Sequence, residues 1–349
     1  MLGFPALHDT ALHERGLTGR SLVDAQQRVW LPYDVVREER LPDGLRAIGA
    51  CREVLCARDA DFELPRDGRP LHVLNGMGVA LGDAIMGLSV LHAVHAHEPR
   101  RRIVMHPAAH LPASVAGLLD LARFADIAPL PIALDTLPED AVLVDLGDFA
   151  YWPRFDHMPM HDFFAAGLGL NALPESAYRN AWLEEACVPE LPAPWDREAF
   201  VLFAPLSSSP LRNLSESAQH RIVAQAAAQY GLPVLGFTRV AHPAYRCIAD
   251  LSPDTPSFLA WVRSARVLIS TDSAAVHAAA GFDVPNLVGF VSGDPAVLVA
   301  RYPRCVALDL RTPELDGRHF SEEPAHLAIA QAAWDTAIEA GLPWPQARD

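Results

Sequence analysis

Cysteine is scarce in this chain, five residues in 349, and no two form a Cys-x-x-Cys pair. Scattered at positions 51, 56, 187, 247 and 305, they argue against a disulfide framework or a cysteine-built zinc site. They read instead as thiols of a reducing compartment. No apolar run approaches the ~18–20 residues that span a bilayer. The first residues, Met-Leu-Gly-Phe-Pro-Ala-Leu-His-Asp, lack the basic stretch and apolar core of a secretory signal. Basic side chains are outnumbered, 28 against 43 acidic, for a net charge of -15. That balance disfavours nonspecific nucleic-acid binding and a polybasic grip on anionic membrane. The one basic run, Arg100-Arg101-Arg102, reads as a solvated helix-to-strand turn. Hydrophobic residues make up 50% and charged residues 20%, the composition of a folded globular chain. The expectation is a cytoplasmic protein with no nucleic-acid partner and at most peripheral membrane contact.

What is present is alternation. Residues 1–70 carry dense charge and turn signals at 42–44 and 66–68, with short strands expected at Arg28–Val36 and Glu53–Leu64; they form an N-terminal accessory segment. From Leu71 the pattern becomes strand, turn, helix: a strand at 71–75, a Gly-rich turn at 76–83, a helix at 84–97 with apolar residues at 85, 88, 91 and 94, and strands at 102–105 and 141–146. The stretch 188–198 holds three prolines and reads as a linker. A second alternating unit follows, with strands at 200–204, 233–237, 267–269, 287–290 and 306–308. Its first helix is capped by Ser215 and closed by Gly231. The expected domains are 1–70, a Rossmann-like unit at 71–190, a second at 196–322, and a terminal helix within 323–349. The fold class is α/β, two facing Rossmann-like domains with the accessory segment.

The segment 267–290 carries the most chemistry. Strand Val267–Ile269 runs into the polar turn Ser270-Thr271-Asp272-Ser273, then an Ala-rich helix to Gly281, then a strand after Pro285. A helix opening at the carboxyl end of a strand is where open α/β sheets bind ligands, and its first amides suit a phosphate. The segment resembles the donor-site motif of the heptosyltransferase-like glycosyltransferases (glycosyltransferase family nine): Asp-Thr/Ser-Gly-x-x-His, an Ala-rich helix, then Gly-x-Pro. The matching residues are Asp272, Ser273, His277, Gly281 and Pro285, and Ala274 stands where the family usually has Gly. The resemblance covers about residues 71–340. It implies the GT-B fold, a nucleotide-sugar donor at Asp272, Ser273, Ala274 and His277, and a last helix returning to the first domain.

The turn at 76–83 gives Gly-x-Gly-x-x-x-Gly, its third Gly one place late for a dinucleotide fingerprint, and the next strand ends at His106 where an acidic residue would be needed. Asp83 is favoured locally by the helix dipole. The family has a Gly-Asp pair here whose Asp is the catalytic base, so by resemblance Gly82 and Asp83 belong to the acceptor side, with Asp83 the base. The loop 204–213 brings Ser207, Ser208, Ser209 and Arg212 to a strand end and suits a phosphate. The family has Lys where Arg212 stands, and the two are not equivalent. His157 and His161 follow the strand-end acids Asp145 and Asp148 and the pair Tyr151-Trp152, a candidate acceptor-recognising segment; an ordinary buried loop is the other reading. Zinc is not expected: of His92, His95 and His97 only the first two share a helix face, and His106 and His110 follow the next strand.

These readings give an inverting, metal-independent glycosyltransferase that needs no cofactor. It would move a sugar from a nucleotide sugar, ADP-heptose foremost, to a lipopolysaccharide or protein acceptor, and an oligomer is possible. Two other classes stay open: a non-catalytic nucleotide-sugar-binding protein, and a NAD-dependent oxidoreductase or sugar-nucleotide epimerase.

Overall fold

A computed structural model describes residues 9–155 and 157–348. Residues 1–8, on which the reading of the N-terminus rests, lie outside it. The chain divides into two compact units, one ending at Tyr178 and the other beginning at Arg179.

The first unit contains two sheets. Strands β1 (Leu22–Val23), β2 (Arg28–Trp30) and β3 (Arg46–Ala47) come from the N-terminal segment. Strands β4 (Leu71–Leu74), β5 (Ile103–His106), β6 (Asp126–Ile127) and β8 (Val142–Asp145) form a parallel sheet in the order β6-β5-β4-β8. The short β7 (Ile132–Ala133) leaves that sheet and pairs antiparallel with β2, giving the order β3-β1-β2-β7. The expected accessory segment is therefore built into the first unit. Its Val23, Val29, Leu31 and Ile48 share one core with Leu74, Ala108, Leu130 and Leu143. The strand expected at 28–36 stops at Trp30 because Pro32 opens a short helix, Pro32–Val35. Of residues 53–64, only Leu55 makes a β-bridge, to Val144.

The second unit holds one six-stranded sheet: β9 (Val201–Ala204), β10 (Val234–Gly236), β11 (Tyr245–Cys247), β12 (Val267–Thr271), β13 (Asn286–Phe290) and β14 (Cys305–Asp309). Every pairing is parallel and the order is β11-β10-β9-β12-β13-β14. The central strands are buried along their length because helices cover both faces. Helix Glu216–Tyr230 has the expected caps: Ser215 accepts from the Ala218 amide, and Gly231 closes it at φ 64°.

The terminal helix, Pro324–Ala340, was expected to return to the first domain. Within its own unit it packs through Trp334, Ala330 and Ile338, which join the core formed by Val201, Ile222 and Ile269. Gly289 leaves room for the Trp334 ring, which a Cβ there would strike. The Pro-rich stretch expected as a linker is also packed, with Trp195 edge-on to Phe200 at 6.1 Å. Among the described residues no helix is long and apolar enough to cross a membrane.

Two histidines buried in the first parallel sheet fix each other's protonation. His106 Nδ1 lies 2.9 Å from the Ala128 carbonyl oxygen, so that nitrogen carries the proton and Nε2 accepts. His72 Nδ1 lies 2.9 Å from that Nε2 and must donate, leaving His72 Nε2 a bare acceptor with no partner among the described residues. Burial, then the His106 neighbour and the Arg102 and Arg52 charges, hold the His72 pKa down at about 4, against 6.5 in its ordinary state. Below pH 6.5 the unfolded chain takes up a proton that the folded chain refuses until about pH 4. Stability should therefore fall as pH drops through that window, by up to about 1.4 kcal/mol per pH unit for this group. Urea midpoints across the window should show that slope, and His72→Phe should flatten it while lowering stability throughout.

Candidate functional site

In the second sheet the chain runs outward from β9 in both directions, to β10 and β11 on one side and from β12 to β14 on the other. The boundary between β9 and β12 is the point where the strand order reverses and where such sheets bind ligands. The loops leaving these two strands hold most of the residues expected to bind the donor. Ser270 Oγ donates to the Ala204 carbonyl across the boundary at 3.1 Å, and the Thr271 hydroxyl donates to the Arg212 carbonyl. Asp272 is 5% exposed and its amide donates to the Gly289 carbonyl at 3.1 Å. Its carboxylate accepts from Arg212 Nη1 at 2.9 Å, while Arg212 Nη2 donates to Ser208 Oγ at 3.2 Å. Gly293, in the loop after β13, lies close enough that a Cβ would sit 3.2 Å from the Asp272 carboxylate.

The three serines divide their work. The Ser207 amide donates to Asn213 Oδ1 at 2.7 Å, and the Ser207 hydroxyl donates to the Ser209 carbonyl and accepts from the Ser209 amide. Ser207 is thus spent on holding the loop. Ser208 is exposed beside the Arg212 guanidinium. Ser209 is buried, and its hydroxyl and Arg212 Nε are both buried without a partner among the described residues. Two such atoms in one strand-end loop are unusual in a native structure and mark a place where a ligand or water is expected.

Helix Ala274–Gly281 starts from this cluster. Ser273 caps it, its hydroxyl accepting from the Ala275 amide at 3.4 Å and lying 3.0 Å from Ser270 Oγ. The first-turn amides lack intrahelical acceptors and carry the positive end of the dipole. Ala274 is the first helical residue, where an L side chain fits the backbone; its methyl replaces the family's Gly without conformational cost. His277 is 4% exposed and faces Tyr302, whose hydroxyl lies 2.7 Å from His277 Nδ1. Asn180 Nδ2 donates to both the His277 carbonyl at 3.1 Å and the Tyr302 hydroxyl at 2.9 Å. The carbonyl can only accept, which fixes the amide's orientation, so the Tyr302 hydroxyl accepts from Asn180. Sequence reasoning missed Asn180 and Tyr302. They stand 97 and 25 residues from His277 in the chain, and neither has a local pattern.

In the first unit the strand order reverses between β4 and β8. The loop after β4 is tight: Asn75, Met77 and Gly78 all have positive φ, at 71°, 64° and 87°. The Asn75 side chain spans the boundary, donating to the Leu146 carbonyl at 3.1 Å and accepting from the Gly78 amide at 3.2 Å. At Gly78 a Cβ would meet the Phe149 ring at 2.8 Å and approach Asp83 Cβ at 3.9 Å. The helix begins at Leu81, three residues earlier than expected, so Gly82 and Asp83 lie in its first turn, both half-buried. His157 is exposed, whereas His161 is buried with its ring 5.8 Å from Tyr178. His92 and His95, which share a face as expected, pack on Phe124 at 5.0 and 6.1 Å.

The strand-end acids have a task the sequence did not reveal. Asp145 is wholly buried and accepts from the Ser21 amide at 2.9 Å, the Ser21 hydroxyl at 2.7 Å and the Gly147 amide at 2.8 Å. Asp148 accepts from the Gly19 amide at 3.0 Å, and Trp152 Nε1 donates to the Gly19 carbonyl at 2.8 Å. The N-terminal turn Gly19–Ser21 is thereby pinned at the ligand-binding end of the first sheet.

No family model matches the chain, and no curated protein matches it in sequence. Solved structures do. The iron-containing dodecameric glycosyltransferase TibC of enterotoxigenic E. coli aligns at 12% identity and a TM-score of 0.51, over 92% of this chain and 91% of that one. The heptosyltransferase TibC in complex with ADP-D-β-D-heptose gives 13%, 0.51, 93% and 91%. E. coli ADP-heptose lipopolysaccharide heptosyltransferase II gives 13% and 0.43, over 76% of this chain and 99% of that one. At these identities the likeness establishes the fold: α/β, with the two Rossmann-like units of the GT-B pattern. Among the described residues no three His, Cys, Asp or Glu side chains gather as metal ligands.

Tyr302→Phe should cost about 1–3 kcal/mol, because it leaves buried Asn180 and His277 groups short of a partner. Denaturant unfolding measures the loss, and an unchanged midpoint would show that the hydroxyl does not hold this helix.

Proposed function

We propose that the chain is an inverting, metal-independent glycosyltransferase of the heptosyltransferase-like family, using a nucleotide sugar with ADP-heptose the leading donor. One observation carries this reading: Arg212, Asp272, Ser208 and the capped start of helix Ala274–Gly281 meet at the reversal point of a six-stranded parallel sheet. That is a built anion site with one guanidinium, hydroxyls and a helix N-terminus. The ADP-heptose bound to TibC, which shares the fold, supports the donor class.

The chemistry asks for little else. Asp83 accepts the acceptor hydroxyl's proton as that oxygen attacks the anomeric carbon from the face opposite the nucleotide. The bond from anomeric carbon to diphosphate oxygen breaks, and the nucleoside diphosphate leaves with the electron pair. Arg212 and the helix amides stabilise its charge, the part a metal plays elsewhere. Gly82 and the segment bearing His157 and His161 are assigned to the acceptor, a glycan or a protein side chain. The Lys-to-Arg exchange at 212 is not specific to the site: all 28 basic residues of the chain are arginine. The non-catalytic alternative loses that support. TibC's dodecamer makes an oligomer the working expectation.

Thermal unfolding against ADP-, GDP-, UDP- and dTDP-sugars, with NAD as control, tests the donor. A ligand at about 100 times its dissociation constant adds about 2.7 kcal/mol, so an ADP-sugar should raise the transition clearly. Stabilisation by NAD alone would overturn the reading. With donor identified, Asp83→Asn should keep that stabilisation and lose about 10²–10⁴-fold in transfer rate. Near-full transfer by a folded Asp83→Asn protein would remove Asp83 from the mechanism.

A further inference from the structure

We propose that His110, oriented by Asp34, is a further substrate-binding residue of the first unit: its Nε2 accepts a hydrogen bond from an uncharged hydroxyl of the acceptor. Calling that ligand the acceptor rests on the transferase reading; the oriented imidazole and its fit to a hydroxyl do not.

Asp34 lies in helix Pro32–Val35 of the N-terminal segment, and its side chain is wholly buried. It reaches the loop that follows β5. Its Oδ2 accepts from the Ala109 amide at 2.9 Å and its Oδ1 from the His110 amide at 3.0 Å. Those two bonds already hold the loop. Oδ1 also lies 3.1 Å from His110 Nδ1. A carboxylate that takes two amide protons acts as an acceptor, so Nδ1 carries the ring's proton and Nε2 is left bare in the neutral ring. The His110 side chain is 50% exposed, and Nε2 has no partner among the described residues. A carboxylate behind an imidazole fixes tautomer and orientation in catalytic and metal-binding histidines.

The loop stands beside the turn that leads into Asp83. Pro107 packs so closely on Gly76 that a Cβ on that glycine would come within 2.8 Å of the proline ring. Leu111 of the loop and Val79 of the Gly-rich turn pack, with Tyr33, against one core. What His110 offers outward is a lone pair with a negative carboxylate behind it. A phosphate or carboxylate group has no proton to give and meets that charge; a hydroxyl gives its proton and fits.

The test uses the full chain with isotope-labelled histidine, the His110 resonances being identified by their loss in His110→Asn. In the ligand-free protein the His110 proton should sit on Nδ1. Methyl glycosides of neutral hexoses and heptoses are the probes, with glucuronate and a sugar phosphate as charged controls. A neutral glycoside should move the Nε2 resonance, and the charged controls should bind more weakly. His110→Asn keeps an N–H for Asp34 and loses the outward acceptor, whereas His110→Gln carries an oxygen out to where Nε2 stood. With the Leu111 amide as reporter, the Asn variant should bind glycoside about ten-fold more weakly and the Gln variant should recover most of that loss. A histidine that only holds the loop gives the reverse order. A proton on Nε2, no response to any neutral glycoside, tighter binding of the charged controls, or unchanged affinity in His110→Asn overturns the proposal. Thermal stabilisation of the same samples by nucleotide sugars separates the two readings. Glycoside binding without it defeats the transferase and keeps the hydroxyl site, whereas the reverse defeats the role of His110 alone.

Discussion

The parallel pairing of β9 with β12 is the constraint from which the second unit's chemistry follows. Parallel neighbours cannot be joined by a hairpin, so each connection crosses over the sheet and every strand delivers its following loop to the same edge. Because the chain departs from β9 and β12 in opposite directions, their loops diverge over the centre of that edge. The gap holds side chains that point at one another: Arg212 from one loop and Asp272 from the other. The hydroxyls of Ser270 and Thr271 tie the loops back across the boundary, so the ion pair sits on a fixed frame.

That ion pair sets the electrostatics of the site. The Asp272 side chain is 7% exposed and that of Arg212 21%, so the pair is partly removed from water and neither charge can be deleted without stranding the other. Asp272 holds one guanidinium nitrogen, Ser208 a second, and the third, Nε, is buried without a partner among the described residues. A planar guanidinium held at two points and bare at the third is preorganised for an oxyanion, which a lysine on a flexible stem would not be. On the proposed reading, the leaving diphosphate meets a cation already oriented and a helix N-terminus already capped by Ser273. Neither has to reorganise as charge develops.

The fold and the strand-end loops of the second unit were legible because their signals are local. The apolar alternation from Val201 to Asp309 marks strands and helices one by one, and the caps Ser215 and Gly231 were named from residue type alone. Asp272, Ser273 and Arg212 were singled out because the turn and loop that carry them follow strands and resemble a family's donor site. What escaped is non-local. Nothing near Asp145 or Asp148 indicates that they bind a turn more than 120 residues earlier, and nothing near Tyr302 indicates Asn180. The accessory segment was set apart for its composition, yet its apolar residues complete the core beside Leu74 and Leu143. The seat of the terminal helix in its own unit is equally non-local: Gly289 leaves the room that the Trp334 ring fills.

The same non-local bonds make the first unit's ligand-binding end different from the second's. In a dinucleotide-binding sheet the edge at the reversal point is left open for the cofactor. Here Asp145 and Asp148 draw the Gly19–Ser21 turn onto it, and a side chain on Gly147 would collide with Ser21. Asp145 forgoes hydration wholly, and burial pushes its pKa up even though three donors bind the carboxylate. At the equivalent edge of the second unit Asp272 is spent on Arg212, while Ser209 Oγ and Arg212 Nε have no partner among the described residues. One sheet edge is thus filled by its own chain, with Asp83 in the neighbouring helix turn, and the other is left with bonding capacity unused. On the proposed reading, that asymmetry favours the second unit for the nucleotide and leaves the first to a smaller polar group.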